Sequence, residues 1–218
     1  MTSAADRVLD AVARAVHEDG ARSWLVAFSG GPDSTILAWA LGSLRGSLGL
    51  QIRLAHVDHG LDAGSTGRAR RATALAARLG LPMVTERLEP ASRPSNVSLE
   101  AWARRERYAA LDATAARFGL QRVATGHHAD DQAETVLLRM AFGSGLRGLA
   151  GIRRRFGRVS RPLLDVRRHD IEAALGDLGL EATDDPTNRD LDRPRNLIRH
   201  HILPEWNGRH GHLVESTR

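Results

Sequence analysis

Four groups of residues in this 218-residue chain have types and spacing that could do chemistry. The first is Ser29-Gly30-Gly31-Pro32-Asp33-Ser34. Paired glycines permit backbone angles that turn amides inward. The first turn of a following helix adds unpaired N–H groups and a positive dipole end. Together these cradle phosphate. An ordinary strand-to-helix turn draws on the same residue types, but the order of apolar run, glycine pair and hydroxylated helix start favours the cradle. It is not the GxxxxGK(S/T) loop. No lysine follows the glycines or occurs anywhere in the chain, so all 31 basic residues are arginine.

The second group is Thr125-Gly-His-His-Ala-Asp-Asp-Gln-Ala-Glu-Thr135. Asp131 and Glu134 have the spacing of a helix capping box. Two histidines and adjacent carboxylates exceed what a cap needs, however, and neighbouring acids repel and want a cation. Asp131, with Asp33, is a candidate to hold Mg²⁺ on phosphates, since Mg²⁺ uses one or two carboxylates plus phosphate oxygens. The third group is His56, Asp58 and His59, which could line a nucleoside or simply pair at a strand end. The fourth is Glu100, Arg104 and Arg107, which share one helical stripe at i, i+4 and i+7. Glu100–Arg104 could be an exposed pair worth a few tenths of a kcal/mol. Arg104 and Arg107 could instead stabilise developing charge. The run Arg153-Arg-Arg155 with Arg158 could track phosphates or form a solvated face.

The elements that must position these residues alternate. Residues 4–18 read as an amphipathic helix. An unbroken apolar run, 24–28, reads as a buried parallel strand. Helix 34–45, ending near Gly46, strand 51–57, helix 65–79, strand 82–88, helix 98–118, strand 121–125 and helix 130–142 follow. In helix 98–118, Leu99, Trp102, Ala103 and Ala110 can face the core. This alternation predicts an α/β fold with a doubly wound parallel sheet, in which ligands sit at the carboxyl ends of strands. Three of the four polar groups begin where a strand is expected to end. After 142 comes a glycine-rich stretch, then the basic run, a helix over 167–178 and a short helix stopped by Pro204. The expected organisation is a catalytic unit, 1–150, and a basic, helical C-terminal annex of the same domain, 151–218.

With aromatic content at 4%, Leu, Val, Ile and Ala must fill most of the core. There is no Cys, which excludes disulfides, thiol nucleophiles and Cys-ligated metal or iron–sulfur sites. That fits a reducing, cytoplasmic setting. No signal peptide or membrane span is expected. The net charge of +5 is a modest hint of nucleic acid, although a G+C-rich genome accounts for arginine replacing lysine.

The glycine loop matches the SGGxDS signature of the N-type ATP pyrophosphatases, or PP-loop superfamily. The His-His-x-Asp-Asp-Gln-x-Glu-Thr run is more specific. With His56-Val-Asp-His-Gly-Leu61, Gly143-Ser-Gly-Leu-Arg-Gly-Leu149, Asp185-Pro-Thr-Asn-Arg-Asp190, Arg195-Asn196 and Ile202-Leu-Pro204, it resembles the tRNA(Ile)-lysidine synthetases over roughly residues 22–206. The resemblance implies ATP and Mg²⁺ as cofactors. It also implies free L-lysine and an isoleucine tRNA with a CAU anticodon as partners. ATP adenylates the wobble cytidine at its C2 oxygen, pyrophosphate leaves, and the lysine amine displaces AMP.

The same resemblance implies residue roles. Ser29, Gly30, Gly31, Pro32, Asp33, Ser34, His56 and Asp58 would bind ATP. Asp33, Arg104, Arg107, Asp130 and Asp131 would act in catalysis, Asp130, Asp131 or a nearby His taking the amine proton. Asp131 has pairing with the substrate ammonium as a competing role to metal binding. Glu100, Arg104, His127, His128, Glu134, Gly143, Ser144 and Gly145 would lie on the substrate side. Two departures stand out: Phe142 replaces a usual arginine, and Asp62-Ala-Gly64 follows His-Gly-Leu where arginine is more usual. Many members carry further C-terminal tRNA-binding domains, so this chain is expected to be a short form or a catalytic-domain fragment. A different adenylating enzyme of the superfamily and a non-catalytic nucleotide- or RNA-binding domain are the alternative readings.

Overall fold

A computed structural model describes residues 2–60, 64–90, 93–143, 145, 149–183, 194–209 and 214. Six strands form one sheet in the order β3-β2-β1-β4-β6-β5. They are β1 (Ser23–Ala27), β2 (Gln51–Asp58), β3 (Met83–Arg87), β4 (Arg122–Ala124), β5 (Arg155–Phe156) and β6 (Val159–Ser160). All pairings are parallel except β5 with β6 at the edge. The helices are α1 (Ala4–Asp19), α2 (Pro32–Leu48), α3 (Ser65–Arg78), α4 (Leu99–Arg117), α5 (Ala129–Ala141), α6 (Arg168–Asp177), α7 (Pro194–Leu197) and α8 (Leu203–Arg209). A π-helical turn, Ile198–Ile202, joins the last two.

Side chains alternate between the faces of β1. Trp24, Val26 and Phe28 point into one core with Ile36, Leu37 and Leu41 of α2, Leu75 of α3, Val8 and Val12 of α1 and Ile171 of α6. Leu25 points the other way, with Leu111 and Ala115 of α4 and Val123 of β4. Both faces of β1 are therefore covered, which explains its unbroken apolar run. Each fully buried Leu, Ile or Phe contributes about 1.5–3 kcal/mol. Few aromatics serve, but Trp24, Phe28 and Trp102 are among the largest fully buried side chains. The Trp24 indole N–H donates to the Ala21 carbonyl at 3.1 Å.

Several sequence expectations change. Helix α2 does not stop near Gly46 but continues to Leu48, and Gly49 at φ 62° ends it. The buried stripe Leu37, Leu41, Leu44 carries the helix past Gly46. Leu99 is 46% exposed rather than core, because it opens the first turn of α4 after the Ser98 cap. The hairpin β5–β6 was not expected; two-residue strands leave no readable period, and their pairing is set by β4. Pro204 does not stop the C-terminal helix. A proline ring clashes with the carbonyl four residues back. The chain widens instead, with Leu203 N–H reaching the Ile198 carbonyl, and continues as α8.

Beyond residue 150, β6 extends the sheet beside β4, and Val166, Ile171, Ala174 and Leu175 join the main core. Gly151, at φ 64°, lets the chain pass against Gln132 of α5. The Ile152 amide donates to Gln132 Oε1 at 2.5 Å, and a Cβ on Gly151 would stand 2.3 Å from Gln132 Nε2.

Candidate active site at the carboxyl ends of β1 and β4

The strand order reverses between β1 and β4. Crossovers from β1 run outward through β2 and β3, then α4 returns the chain to β4 on the other side. Loops after β1 and β4 thus diverge to open a crevice, the place where doubly wound sheets bind ligands. The glycine loop leaves β1 there, and Thr125–Asp131 leaves β4 beside it. Their approach is close. A Cβ on Gly126 would stand 3.0 Å from the Asp33 Cβ and 3.2 Å from the Ser34 amide nitrogen.

The glycine loop is held by its own hydroxyls. Ser34 Oγ donates to the Gly31 carbonyl at 3.0 Å and lies 3.2 Å from Ser29 Oγ, which accepts from the Gly31 amide at 3.3 Å. Gly30 has φ 83°, a conformation that only glycine adopts readily. No side chain caps α2, whose N-cap is Gly31 with Pro32 in the first turn. Its free amides point where an anion would sit. Thr183, which the sequence did not single out, donates its amide to the Gly30 carbonyl at 2.8 Å.

His56 and Asp58 are buried at the end of β2. His56 Nδ1 lies 2.9 Å from the Phe28 carbonyl, so it carries the proton and ties β2 to the start of the loop. Asp58 accepts from the Gly60 amide at 2.9 Å. Burial pushes its carboxyl up, but that amide, the Ser65 hydroxyl and Arg87 outweigh it and hold Asp58 below the usual range.

Around the start of α5 the charges are dense. His128 is 1% exposed and caps α5: its Nδ1 accepts from the Asp131 amide while Asp131 Oδ2 accepts from the His128 amide. Nε2 therefore carries the proton, 3.7 Å from Asp33 Oδ1 and 3.6 Å from Asp131 Oδ2. Burial raises the Asp33 carboxyl; His128 opposes this and Asp131 adds to it, and the net shift is upward. Burial would raise Asp131 too, but His128, Arg195 and His127 bring it below the usual range. Asp130 Oδ2 accepts from the Arg168 amide at 2.8 Å at the start of α6 and lies 3.8 Å from His128 Nδ1. His127 Nδ1 lies 3.0 Å from Thr125 Oγ1. Burial lowers it to about 4; Asp131 opposes this and Arg161, Arg104 and Arg195 add to it, so it is neutral at pH 7 and a weak base.

Two arginines from the C-terminal helices complete this group. Arg195 Nε donates to Glu134 at 2.7 Å and its other end to Asp131 Oδ1 at 3.0 Å. Arg199 Nε donates to Glu134 at 2.6 Å and reaches the same Asp131 oxygen at 3.1 Å. Glu134 is fully buried. The i, i+4 spacing of Arg195 and Arg199 matches the i, i+3 spacing of Asp131 and Glu134 across the helix contact. That spacing was the available signal for both arginines.

Opposite lie Arg104 and Arg107, whose guanidinium carbons sit 5.2 and 5.5 Å from the Tyr108 ring centroid. Arg161, which was not singled out in the sequence, donates to the Arg153 carbonyl at 2.5 Å, and the nearby Tyr108 phenol favours its charged form against burial. Glu100 is exposed on the first turn of α4, and among the described residues it makes no ion pair with Arg104. In the basic run, Arg154 pairs with Asp165 and Arg158 with Asp112, while Arg153 and Arg155 are exposed. Gly143 and Gly145 are exposed beyond α5. Ser144, residues 146–148, residues 61–63 and the Asp185–Asp190 stretch lie outside the described residues.

The family model of the PP-loop domain matches residues 3–206. The chain is 46% identical over 198 residues to a tRNA(Ile)-lysidine synthase of Thermobifida fusca, covering 90% of this chain and 60% of that protein. It is 45% identical to one from Symbiobacterium thermophilum, covering 96% of this chain and 45% of the relative. The one from Pseudomonas fluorescens is 38% identical, with 91% and 46% covered. The chain spans about half the length of the curated relatives it matches. Among solved structures, the U34-tRNA thiolase NcsA from Methanococcus maripaludis with its [4Fe-4S] cluster superposes with a TM-score of 0.79 at 15% identity, over 97% of this chain and 76% of that one. That likeness concerns the fold, and this chain has no cysteine to ligate such a cluster. A glycine loop at the carboxyl end of β1, abutting the loop after β4 in a crevice of this parallel sheet, is what the family match predicts: the chain belongs to the PP-loop domain family.

Proposed function

We propose that this chain ligates free L-lysine to C2 of the wobble cytidine of isoleucine tRNA bearing CAU. In this reading the cytidine C2 oxygen attacks the α-phosphorus of ATP and pyrophosphate leaves. The lysine amine then forms a bond to C2, AMP departs with the oxygen, and one proton is lost from the amine. The product, lysidine, shifts decoding from AUG to AUA. The similarity to tRNA(Ile)-lysidine synthases supports the reading. The observation that carries it is the contact of Gly126 with Asp33, which sets an anion cradle and a carboxylate–imidazole group on one crevice.

In this assignment Ser29–Ser34 grips the departing pyrophosphate, and His56 and Asp58 border the nucleoside. Arg104 and Arg107 offset negative charge on the substrate side. Asp131 borders lysine and cytidine, and the buried His128 and Glu134 act behind it through the α5 cap and through Arg195 and Arg199. Mg²⁺ fits beside Asp33. Among the described residues no group of three or more His, Asp or Glu could hold a metal by itself, so the ion would share Asp33 with phosphate oxygens. Asp131 has its Oδ1 taken by two arginines, which favours an electrostatic role over direct ligation. When bound, Mg²⁺ neutralises phosphate charge. A cytoplasmic setting follows from the tRNA substrate; among the described residues no helix is long and apolar enough to cross a membrane.

The test is incorporation of radiolabelled lysine into isoleucine tRNA bearing CAU, with ATP and Mg²⁺. Methionine tRNA, which shares the anticodon, is the control. AMP release that requires both lysine and tRNA supports the reading. Nucleotide binding without AMP release leaves a binding domain.

A further inference from the structure

Three guanidinium groups gather around one phenol, and among the described residues no acid pairs with them. Arg104 and Arg107 flank the Tyr108 ring on α4, and Arg161 approaches from the segment after β6. Among the described residues none of the three has a carboxylate within salt-bridge distance, whereas Arg105 beside them is paired with Glu106. Arg161 is 9% exposed; one end of its guanidinium donates to the Arg153 carbonyl at 2.5 Å, and its Nε is buried without a partner. A buried charge without compensation is costly, and like charges nearby add to the cost. Burial and the neighbouring Arg104 lower the proton affinity of both Arg107 and Arg161, and only the phenol opposes this. The fold holds an electrostatic debt that an anion would relieve.

We propose that Arg161 and Tyr108, together with Arg104 and Arg107, form a preformed receptor for a phosphate group of the RNA strand. The inference rests on the proposed function and extends it to the side on which the RNA backbone lies. Phosphate is also present on the nucleotide, so position matters. The cluster acts on His59 and His127, beyond the ends of β2 and β4. Asp33 in the glycine loop responds instead to Arg168 and Arg199. Arg161 follows β6, which pairs with β4 on the side away from β1, so β4 lies between it and the strand that carries the glycine loop. Tyr108 acts as a strut: Arg104 and Arg107 lie against its ring, and its phenol favours the charged form of Arg161. Planar guanidinium groups suit phosphate oxygens in a way that an ammonium does not.

The experiment measures binding of an unmodified isoleucine tRNA transcript bearing CAU as a function of salt, and in parallel binding of ATP and of inorganic pyrophosphate. Arg161→Gln is expected to weaken RNA binding about tenfold. It should reduce the slope of log K against log salt by about 0.7–0.9, the share of one phosphate contact. ATP and pyrophosphate affinities should stay unchanged. Arg161→Lys should keep the slope, and Tyr108→Phe should weaken RNA binding with the slope intact, since all charges remain. The last two variants guard against misfolding of the first, and circular dichroism checks all three. An unchanged slope in folded Arg161→Gln overturns the proposal. So does a loss of pyrophosphate or ATP affinity at constant slope, which would assign the cluster to the nucleotide. Absence of RNA binding by the unaltered chain would instead overturn the proposed function itself.

Discussion

The α-carbon of Gly126 faces Asp33 so closely that an added Cβ would lie 3.0 Å from the Asp33 Cβ and 3.1 Å from its carbonyl carbon. Two of the three contacts are backbone, which cannot swing away as a flexible side chain can. The loop after β4 and the first turn of α2 therefore behave as one piece. Gly126→Ala should push them apart by a few tenths of an ångström, cost about 1–3 kcal/mol, and weaken ATP binding more than that alone explains. Thermal denaturation with and without ATP separates the two effects. A variant with unaltered melting temperature and ATP affinity would show that the contact is not tight.

Glu134 holds both Arg195 and Arg199 while fully buried. Burial disfavours the charged Arg199, yet its hydrogen bond with Glu134 and the charges of Glu134 and Asp131 outweigh this and raise its pKa. Glu134→Ala would leave the two guanidinium groups sharing Asp131 as their ion-pair partner among the described residues. The expected loss is about 3 kcal/mol, the lower end for breaking a buried pair because Arg195 is partly exposed. Urea denaturation measures it. Replacing Glu134 and Arg199 together by Gln and Met should recover part of the loss; strictly additive losses would mean that the two side chains are not coupled.

Asp33, whose side chain is 41% exposed, has a carboxyl raised from its usual value by partial burial and by Asp131, against the pull of His128. A carboxyl with a raised folded-state pKa favours the folded protein when protonated, and that advantage is lost as pH climbs through the folded value. At pH 7 the charge is a cost. Asp33→Asn should consequently raise the melting temperature of the free protein at pH 7 while reducing Mg²⁺-dependent ATP binding. A lower melting temperature would contradict this account of the site.

His127 titrates in the opposite sense. Its folded pKa is depressed to about 4 from an ordinary 6.5. The stability this contributes is complete above pH 6.5 and is lost as pH falls towards 4. His127→Gln should flatten the stability profile between those limits, and NMR titration of the imidazole reports the pKa directly. A midpoint near 6.5 would show that the ring is solvated.

How much of this was legible beforehand depends on the range of the interaction. The glycine loop, the paired histidines and acids after β4, and the alternation of strands and helices are local patterns. Each was readable because backbone angles, periodicity and capping act over a few residues. Positions such as Leu99, placed in the core by periodicity, turned out exposed because a helix's first turn overhangs the layer it packs on. The π-helical turn before Pro204 and the two-residue strands β5 and β6 were not readable, since each arises from what it packs against.

The sequence by itself determined that the chain is an α/β protein with a glycine-rich strand-to-helix loop after its first strand, and that its acids and histidines gather at strand ends. Only the tertiary structure decided what those residues face. Asp131 and Glu134 are turned toward Arg195 and Arg199, more than sixty residues away in the chain. Asp130 is turned toward α6, and Arg161 joins Arg104 and Arg107 on Tyr108. A carboxylate's partner is chosen by proximity in space and by the loss of water around it, and neither is encoded by spacing along the chain.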